Sequence, residues 1–402
     1  MCAGELGEGR RTPLGQELAR RDDAAHMHAL LADADLGLRV AADAVAARCG
    51  LKGELHDGGT IAPVRELVIV LTDLYHAGGG EQAADAAGHM RLPGIEHAGR
   101  FGARTALAGG WRDWLAGAVG RDDLAGVAPA RIAAAVLPAQ QGGTSWIATP
   151  VHLSAGLSRV HLDHRGLLRL GEAQRAALAA SFATEFGASG LTLAPLESGE
   201  FLLHGAGLEA VPTTEPARCA GGEVAAALPH GPEAAAVRRL GAEIELWLHR
   251  HPLNAARAGL GEPPVNALWL WGAAGREGCL RRGGGAPQRR AFGEDACLRG
   301  LWHLQGGACQ ALPPDFGALA QRGAGAVLAL AVADELRMSM ASTFLQALRA
   351  LDERFIAPAL TQLRRGHLER VTLIANDHAL QLHRRSALKV WRRARAGLES
   401  FA

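Results

Sequence analysis

Leu67-Val68-Ile69-Val70-Leu71-Thr72-Asp73 is the stretch that decides the fold class of this 402-residue chain. Five apolar residues run without interruption into a threonine and an aspartate, as in a buried strand of a parallel sheet that ends in a loop. In open α/β sheets, ligands bind beyond the carboxyl ends of such strands. The stretch therefore predicts an α/β fold with Asp73 at a sheet edge.

Two further segments, nearer the C-terminus, have the same form. Ala326–Val332 runs into Asp334, and Val371–Ala375 runs into Asp377 and His378. A helical segment separates them, which gives the strand, helix and strand of a parallel crossover. The sequence thus predicts three neighbouring parallel strands whose acidic ends face a common cleft.

The segment between these two strands, Ser342–Arg365, predicts a long helix. Pro358 lies inside it and lacks the N–H group that a helix interior needs. We therefore expect a break or kink near Pro358.

The middle of the chain has a different pattern of predicted elements, because short strands alternate with helices there. The predicted strands and helices are Trp146–Leu153, Arg159–Leu162, Glu172–Phe186, Leu191–Leu196, Glu200–His204 and Glu233–Arg250. This alternation favours an α+β lobe inserted into a mostly parallel sheet with flanking helices. The expected parts are a helical N-terminal extension (1–60), the first part of the α/β core (61–145), the α+β lobe (146–263) and the second part of the core with a basic C-terminal helix (264–402).

Composition argues against several classes of partner. The chain has 42 Lys and Arg against 41 Asp and Glu, so no overall field draws it to nucleic acid. Residues 1–20 are polar, and no later run approaches the ~20 apolar residues of a membrane span. Six scattered cysteines without a C-x-x-C pair fit reduced thiols. We expect a cytoplasmic protein with neither membrane nor nucleic acid as a partner.

The acidic strand ends form one candidate site. Asp73, Asp334, Asp377 and His378 are residue types that hold divalent ions in phosphoryl-transfer centres, where the ions activate a nucleophile. The sequence leaves a second interpretation open, in which these aspartates cap helices or form Asx turns. Mn²⁺ or Mg²⁺ would be the cofactor only under the first interpretation.

A second candidate site surrounds the apolar run Pro264–Gly272, which is bulky enough for a buried strand and ends in a glycine where backbone can approach a neighbour. Aromatic faces and polar donors near this run could hold a small anionic ligand. The residues of this candidate site are Asn254, Arg257, Asn266, Trp269 and Trp271. In the alternative interpretation, the tryptophans belong to the core and the asparagines cap turns.

Several motifs, taken in order, resemble the cofactor-independent phosphoglycerate mutases, especially their archaeal-type branch, within the alkaline phosphatase superfamily. These motifs are Leu71-Thr72-Asp73, Leu92–Glu96 with Arg100–Gly102, the Trp269-Leu270-Trp271-Gly272 strand, Asp334-Glu335 and Asp377-His378. The resemblance implies an alkaline-phosphatase-like fold and a metal-dependent phosphomutase ancestry. It also implies metal-binding roles for Asp73, Asp377 and His378.

Further motifs resemble the RpfE-type regulatory proteins of proteobacteria, a group related to these mutases. These motifs are Thr149–Leu153, Leu228–Gly231, His251–Asn254, Pro264–Gly272 and Val390–Arg393. This resemblance implies a regulatory role and does not by itself imply an activity.

The chain departs from the mutase pattern at two points that chemistry depends on. The family has a metal-binding histidine near the position of Met338, and Thr105 is the only serine or threonine between Tyr75 and Trp114. A covalent phosphoryl mechanism needs a hydroxyl nucleophile activated by metal. The preferred interpretation is a diverged, non-catalytic regulatory protein that binds a small anionic ligand or a protein partner and needs no cofactor. The alternative is an active metal-dependent phosphomutase or phosphatase.

Overall fold

A computed structural model describes residues 64–72, 74, 91–138, 143–156, 159–205, 208–275, 280–284, 289–324, 326–333 and 341–386. The expected N-terminal extension and basic C-terminal helix lie outside these residues. So do Asp73, Asp334 and the segment around Met338.

The described residues form twelve strands and ten α-helices. The strands are β1 (Glu66–Leu71), β2 (Ala103–Ala106), β3 (Thr144–Ala155), β4 (Val160–Leu167), β5 (Leu191–Pro195), β6 (Phe201–Gly205), β7 (Gly222–Glu223), β8 (Ala267–Ala274), β9 (Arg289–Phe292), β10 (Leu328–Ala333), β11 (Arg370–Ala375) and β12 (His378–His383). The helices are α1 (Pro93–Phe101), α2 (Gly110–Ala118), α3 (Pro129–Ala134), α4 (Glu172–Phe186), α5 (Ala235–His249), α6 (Pro252–Gly259), α7 (Ala296–Leu304), α8 (Phe316–Arg322), α9 (Ala341–Leu351) and α10 (Ala357–Arg365).

The first sheet has the strand order β2-β12-β11-β1-β10-β9. β1 lies between β10 and β11 and is parallel to both, with Leu71 aligned to Ala333 on one side and to Ala375 on the other. The prediction of three neighbouring parallel strands is therefore confirmed. β9 extends the parallel part of the sheet beyond β10.

The other edge of the first sheet is antiparallel. β11 returns as β12 through the two-residue turn Asn376-Asp377, and Asn376 has the left-handed φ of 51° that asparagine tolerates in tight turns. β2 then pairs antiparallel with β12. Sequence analysis did not predict this hairpin.

The second sheet is antiparallel throughout, with the order β5-β6-β3-β4-β7 and β8 paired to β3. The expected α+β elements of the middle region are present, and α4 has the predicted bounds. The tryptophan strand β8, which contains Trp269 and Trp271, belongs to this antiparallel sheet. The prediction of one mostly parallel sheet is therefore corrected, and so is the prediction that the second core segment begins at residue 264. The sequence of a short strand does not specify which strand it pairs with, so periodicity alone could not place β8 beside β3. The other domain boundaries stay predictions.

The hydrophobic core has three layers, because alternate residues of each strand face opposite ways. Val68 and Val70 of β1 pack in the same cluster as Trp269 and Trp271 of β8, together with α2, α3 and α7. The outer face of the first sheet packs on α1, α8, α9 and α10. The outer face of the second sheet packs on α4, α5 and α6. Three helices thus lie between two sheets, and both sheets carry helices outside.

The predicted helix break is confirmed. α9 and α10 are joined by a π-helical turn, Asp352–Ile356, which ends two residues before Pro358. The turn holds the buried Asp352, which accepts hydrogen bonds from the backbone N–H groups of Gly94 (3.0 Å) and Ile95 (2.8 Å). Burial raises the pKa of the Asp352 carboxyl. Asp352 therefore caps α1 from a distant part of the chain, in place of a local capping side chain.

Gly272 permits a close backbone approach, as the sequence predicts. Its φ is +64°, and a Cβ there would lie 3.0 Å from the Cβ of Pro129 in α3. The pairing of β8 with β3 shifts register beyond Trp271, so Gly272 marks a bulge and does not end the strand. In the described part of the chain, no helix is long and apolar enough to cross a membrane.

Candidate functional site at the carboxyl edge of the first sheet

The register of the first sheet brings three strand ends to one edge. Leu71, Ala333 and Ala375 are aligned across β1, β10 and β11. Asp334 follows Ala333 directly, whereas Asp73 and Asp377 each come two residues after the aligned position. Asp377 and His378 are the two members of this predicted metal set that the structure describes. The geometry of the site is therefore built from them.

Asp377 forms an ion pair with an arginine from the middle region of the chain. Nη1 of Arg218 donates to Oδ2 at 2.8 Å, and Nη2 donates to Oδ1 at 2.7 Å. Both carboxylate oxygens thus face a guanidinium group in the bidentate geometry that arginine favours. The side chains are 39% and 38% exposed, so solvent reaches the pair.

His378 also contacts an arginine. Nη2 of Arg104 in β2 lies 3.0 Å from Nε2 of His378, and because guanidinium only donates, Nε2 accepts. Burial lowers the pKa of His378, the charge of Arg104 lowers it further, and Asp377 opposes both effects. The imidazole is therefore neutral near pH 7 and carries its proton on Nδ1. Within the described residues, that buried Nδ1 has no hydrogen-bond partner.

These contacts do not fit a divalent ion in the described part of the site. A divalent ion at Asp377 would lie beside the positive charge of Arg218, which already contacts both carboxylate oxygens, and a metal at His378 would have to compete with Arg104 for Nε2. A protonated Nδ1 cannot ligate a cation, whereas it matches an acceptor. Among the described residues, no group of three or more His, Cys, Asp or Glu side chains could hold a metal.

Thr105 lies in the edge strand β2 and pairs with Ala379 of β12. All four residues of β2 are exposed. The N–H of Leu107, just beyond β2, donates to the backbone oxygen of Asp377 at 2.7 Å, which fixes the hairpin turn against this strand. Among the described residues, no contact of the Thr105 side chain assigns it a role as nucleophile.

The structure places the predicted ligand-binding asparagines in internal hydrogen bonds. Nδ2 of Asn254 donates to the carbonyl oxygens of Leu248 and Val265, both at 2.8 Å, and Oδ1 accepts from the N–H of Val265 at 2.8 Å. Asn266 bonds the N–H and the carbonyl oxygen of Leu153, each at 2.7 Å. Each amide side chain makes hydrogen bonds that a backbone peptide group would otherwise make. Asn254 thereby connects Val265 to the end of α5, and Asn266 connects its own segment to β3.

Arg257 and the two tryptophans are also engaged internally. Arg257 is 4% exposed and donates from Nε to the carbonyl oxygen of Pro263 at 2.8 Å. Nε1 of Trp269 donates to the carbonyl oxygen of Thr214, and Nε1 of Trp271 donates to Oγ1 of Thr149. Ligand binding by the five-residue set stays a prediction, and each polar side chain in it already has partners.

The sequence did not predict the two arginines that contact the edge residues, namely Arg104 and Arg218. A lone arginine carries little information in a chain with 42 Lys and Arg residues. One local signal was available: Thr214-Glu215-Pro216 places an acid directly before proline inside a loop, a pattern typical of an ordered turn. Arg218 ends the short 3-10 helix Pro216–Arg218 that follows.

Two solved structures are similar to this chain at low identity. A cofactor-independent phosphoglycerate mutase from Thermoplasma acidophilum DSM 1728 has 13% identity and a TM-score of 0.36, over 79% of this chain and 89% of the mutase. The PH0037 protein from Pyrococcus horikoshii has 11% identity and a TM-score of 0.40, over 80% of this chain and 88% of that protein. No family model and no curated protein matches the sequence. At such TM-scores, only part of the two backbone folds coincides. The function is therefore inferred from the geometry of the site.

Proposed function

We propose that this protein binds a small phosphate-bearing ligand at the carboxyl edge of the first sheet, without catalysing phosphoryl transfer. The bidentate pair of Arg218 with Asp377 is the observation that carries the proposal. A carboxylate and a phosphate present the same pair of oxygens to a guanidinium group. In this proposal, the carboxylate of Asp377 occupies Arg218 until the ligand replaces it.

The exposure of the pair supports ligand exchange. More than a third of each side chain is exposed, and ion pairs of this kind contribute about 0–1 kcal/mol. A phosphate dianion can therefore displace the Asp377 carboxylate from Arg218 at a small cost in free energy. Arg104, which contacts the next residue, His378, supplies a second guanidinium at the same hairpin.

A non-catalytic role agrees with the sequence departures at Met338 and Thr105. The positive charge of Arg104 and Arg218 disfavours a divalent ion beside Asp377 and His378. Without such an ion, the Thr105 hydroxyl lacks the metal activation that a covalent phosphoryl mechanism needs. The motif resemblance to the RpfE-type regulatory proteins is consistent with this role, and we extend the proposal to ligand-dependent regulation in the cytoplasm.

A metal-dependent phosphomutase or phosphatase is the second candidate. The observation that favours it is the alignment of the last residues of β1, β10 and β11 at one edge. In the sequence, Asp73, Asp334 and Asp377 follow these three strands. This candidate needs Mn²⁺ or Mg²⁺, whereas the first needs neither.

Titration calorimetry of the full chain with inorganic phosphate tests the first candidate. Arg218→Ala should weaken phosphate binding at least about tenfold, since one charge-assisted bidentate contact is removed. Arg159→Ala is the matched control, because it removes an arginine from the surface pair with Glu223 and changes the net charge equally. Equal phosphate affinity in the two variants would contradict the proposal.

A second titration, with MnCl₂, separates the candidates. The proposal predicts no stoichiometric Mn²⁺ binding and no turnover of 3-phosphoglycerate in the presence of manganese. Stoichiometric Mn²⁺ together with an activity that Asp377→Ala abolishes would establish the second candidate and reject the first.

A further inference from the structure

The segment that carries Arg218 is held in place by two partly buried contacts that have no direct role in the ion pair with Asp377. Nε1 of Trp269 donates to the carbonyl oxygen of Thr214 at 2.8 Å. The carboxylate of Glu215 accepts from Nη1 of Arg112 at 3.1 Å and from Nη2 at 2.8 Å. Both contacts come from elements of the inner core, β8 and α2.

The pair of Arg112 with Glu215 is well shielded from solvent. The side chains are 15% and 12% exposed, and Asp295 lies 3.9 Å from Nη2 of Arg112. The guanidinium lies over the rings of Trp111 and Trp271, at 4.5 and 5.0 Å from their centroids. Burial is the largest single influence on the pKa of Arg112 and lowers it, but the surrounding negative charges and the hydrogen bond with Glu215 together outweigh burial and raise this pKa well above its ordinary value. The guanidinium therefore stays charged and paired with Glu215.

A rigid connection joins this pair to Arg218. The N–H of Arg218 donates to the carbonyl oxygen of Glu215 at 3.0 Å, and Pro216 fixes the backbone between them. Displacement of Glu215 would therefore displace the backbone of Arg218. Because a bidentate contact depends on the orientation of the guanidinium plane, a small shift there is enough to weaken it.

We infer that Arg112, through Glu215, and Trp269, through Thr214, are positioning residues that orient Arg218 for its anionic ligand. The inference depends on the proposed function, because it concerns the arginine that would bind the phosphate. Under this inference, the tryptophan strand β8 takes part in binding indirectly. It orients Arg218, and its residues Trp269 and Trp271 do not touch the ligand.

A double-mutant cycle with inorganic phosphate as the probe tests the inference on the full chain. Glu215→Gln keeps the shape of the side chain and removes its charge, so it should weaken phosphate binding about tenfold. In an Arg218→Ala background, the same change should leave the remaining phosphate affinity unaltered. Glu223→Gln, which removes the charge from a surface ion pair, is the matched control and should have no effect.

Trp269→Phe is the second variant, and it removes only the hydrogen bond to Thr214 and part of a ring. Its control is Trp146→Phe, because the buried Nε1 of Trp146 has no hydrogen-bond partner among the described residues. Trp269→Phe should weaken phosphate binding severalfold, whereas Trp146→Phe should not. Urea unfolding of each variant establishes that the titrated protein is folded.

The outcomes separate this inference from the proposed function. If Arg218→Ala weakens phosphate binding but Glu215→Gln and Trp269→Phe do not, the positioning role is wrong and the proposed function stands. If Glu215→Gln weakens binding equally with and without Arg218, the contact does not act through that arginine, and the inference is again wrong. If Arg218→Ala itself binds phosphate normally, both the inference and the proposed function fail.

Discussion

The carboxyl edge of the first sheet and the surroundings of the tryptophan strand use the same residue types in opposite ways. At the edge, the ion pair of Arg218 with Asp377 is more than one-third exposed on both sides. Near β8, Arg257 is 4% exposed and bonded to backbone, and Asn254 bonds three backbone groups. Polar groups buried with partners contribute to stability, whereas exposed pairs can exchange partners. The difference supports a role in folding for the residues near β8, and it supports the proposed ligand exchange at the edge.

The largest expected effect on stability is that of Asn254→Ala. The variant leaves the carbonyl oxygens of Leu248 and Val265 and the N–H of Val265 without this partner. We expect the free energy of unfolding to fall by about 2–4 kcal/mol. Urea denaturation measures this change, and phosphate affinity should stay constant. A change in phosphate affinity without a loss of stability would instead favour the ligand-binding role that the sequence suggested for Asn254.

Gly272→Ala should have the next largest effect. The backbone at Gly272 has a φ of +64°, and the added Cβ would press on Pro129. We expect a loss of about 1–2 kcal/mol, because a left-handed conformation is strained for alanine. Gly241→Ala serves as the control, since this glycine lies inside α5 with open space around it. The control should stabilise the protein by about 0.5–1 kcal/mol, and equal effects at both positions would contradict the role of Gly272.

Arg218→Ala should change stability little, in contrast to the two variants above. An exposed ion pair contributes about 0–1 kcal/mol, so urea denaturation should show a loss within that range. A double-mutant cycle with Asp377→Asn gives the coupling of the pair. A coupling well above that range would mean that the edge is built for stability, and the comparison between the two regions would fail.

The smallest expected effect concerns pH. Nδ1 of His251 accepts from the N–H of Leu253 at 3.1 Å and caps α6, and burial lowers the pKa of this imidazole. Since the unfolded chain binds this proton more readily, stability falls as pH drops below the ordinary value of about 6.5 and through the folded-state pKa. His251→Asn keeps a capping acceptor that does not titrate. Urea denaturation at pH 7 and pH 5 should show a smaller loss in the variant, and an unchanged loss would exclude this source.

Much of the first sheet could be predicted from sequence, because uninterrupted apolar runs ending in acidic residues are a local signal. This signal predicts β1, β10 and β11, and Pro358 separately predicts the interruption of the helix between α9 and α10. The partner of β8 could not be found, since its apolar run fits either sheet and only tertiary packing decides between them. The hairpin of β11 with β12 is not predictable in this way, because an aspartate after a buried strand fits a ligand site, a helix cap or a turn equally well, and the return strand has no uninterrupted apolar run.

The candidate site was less predictable than the fold. Asp377 and His378 lie at the end of β11, where the sequence places them, but their arginine partners come from distant segments: Arg218 and Asp377 are 159 positions apart in the chain. No periodicity relates such residues, and arginine is common in this sequence. The five residues proposed around the tryptophan strand have hydrogen-bond donors and aromatic faces of the kind that a ligand site uses. The local sequence does not show whether backbone groups already form hydrogen bonds with these side chains.

Phosphate affinity of Asp377→Asn is the most direct test of the central claim, that the edge binds an anion in the place where Asp377 now sits. Asparagine keeps the shape of the side chain and removes the competing charge, so calorimetry should show phosphate binding about fivefold tighter than in the unaltered protein. Asp123→Asn, in the similar bidentate pair with Arg121, is the control and should leave phosphate affinity unchanged. Weaker phosphate binding in Asp377→Asn, together with the loss of a stoichiometric Mn²⁺ ion, would contradict the account.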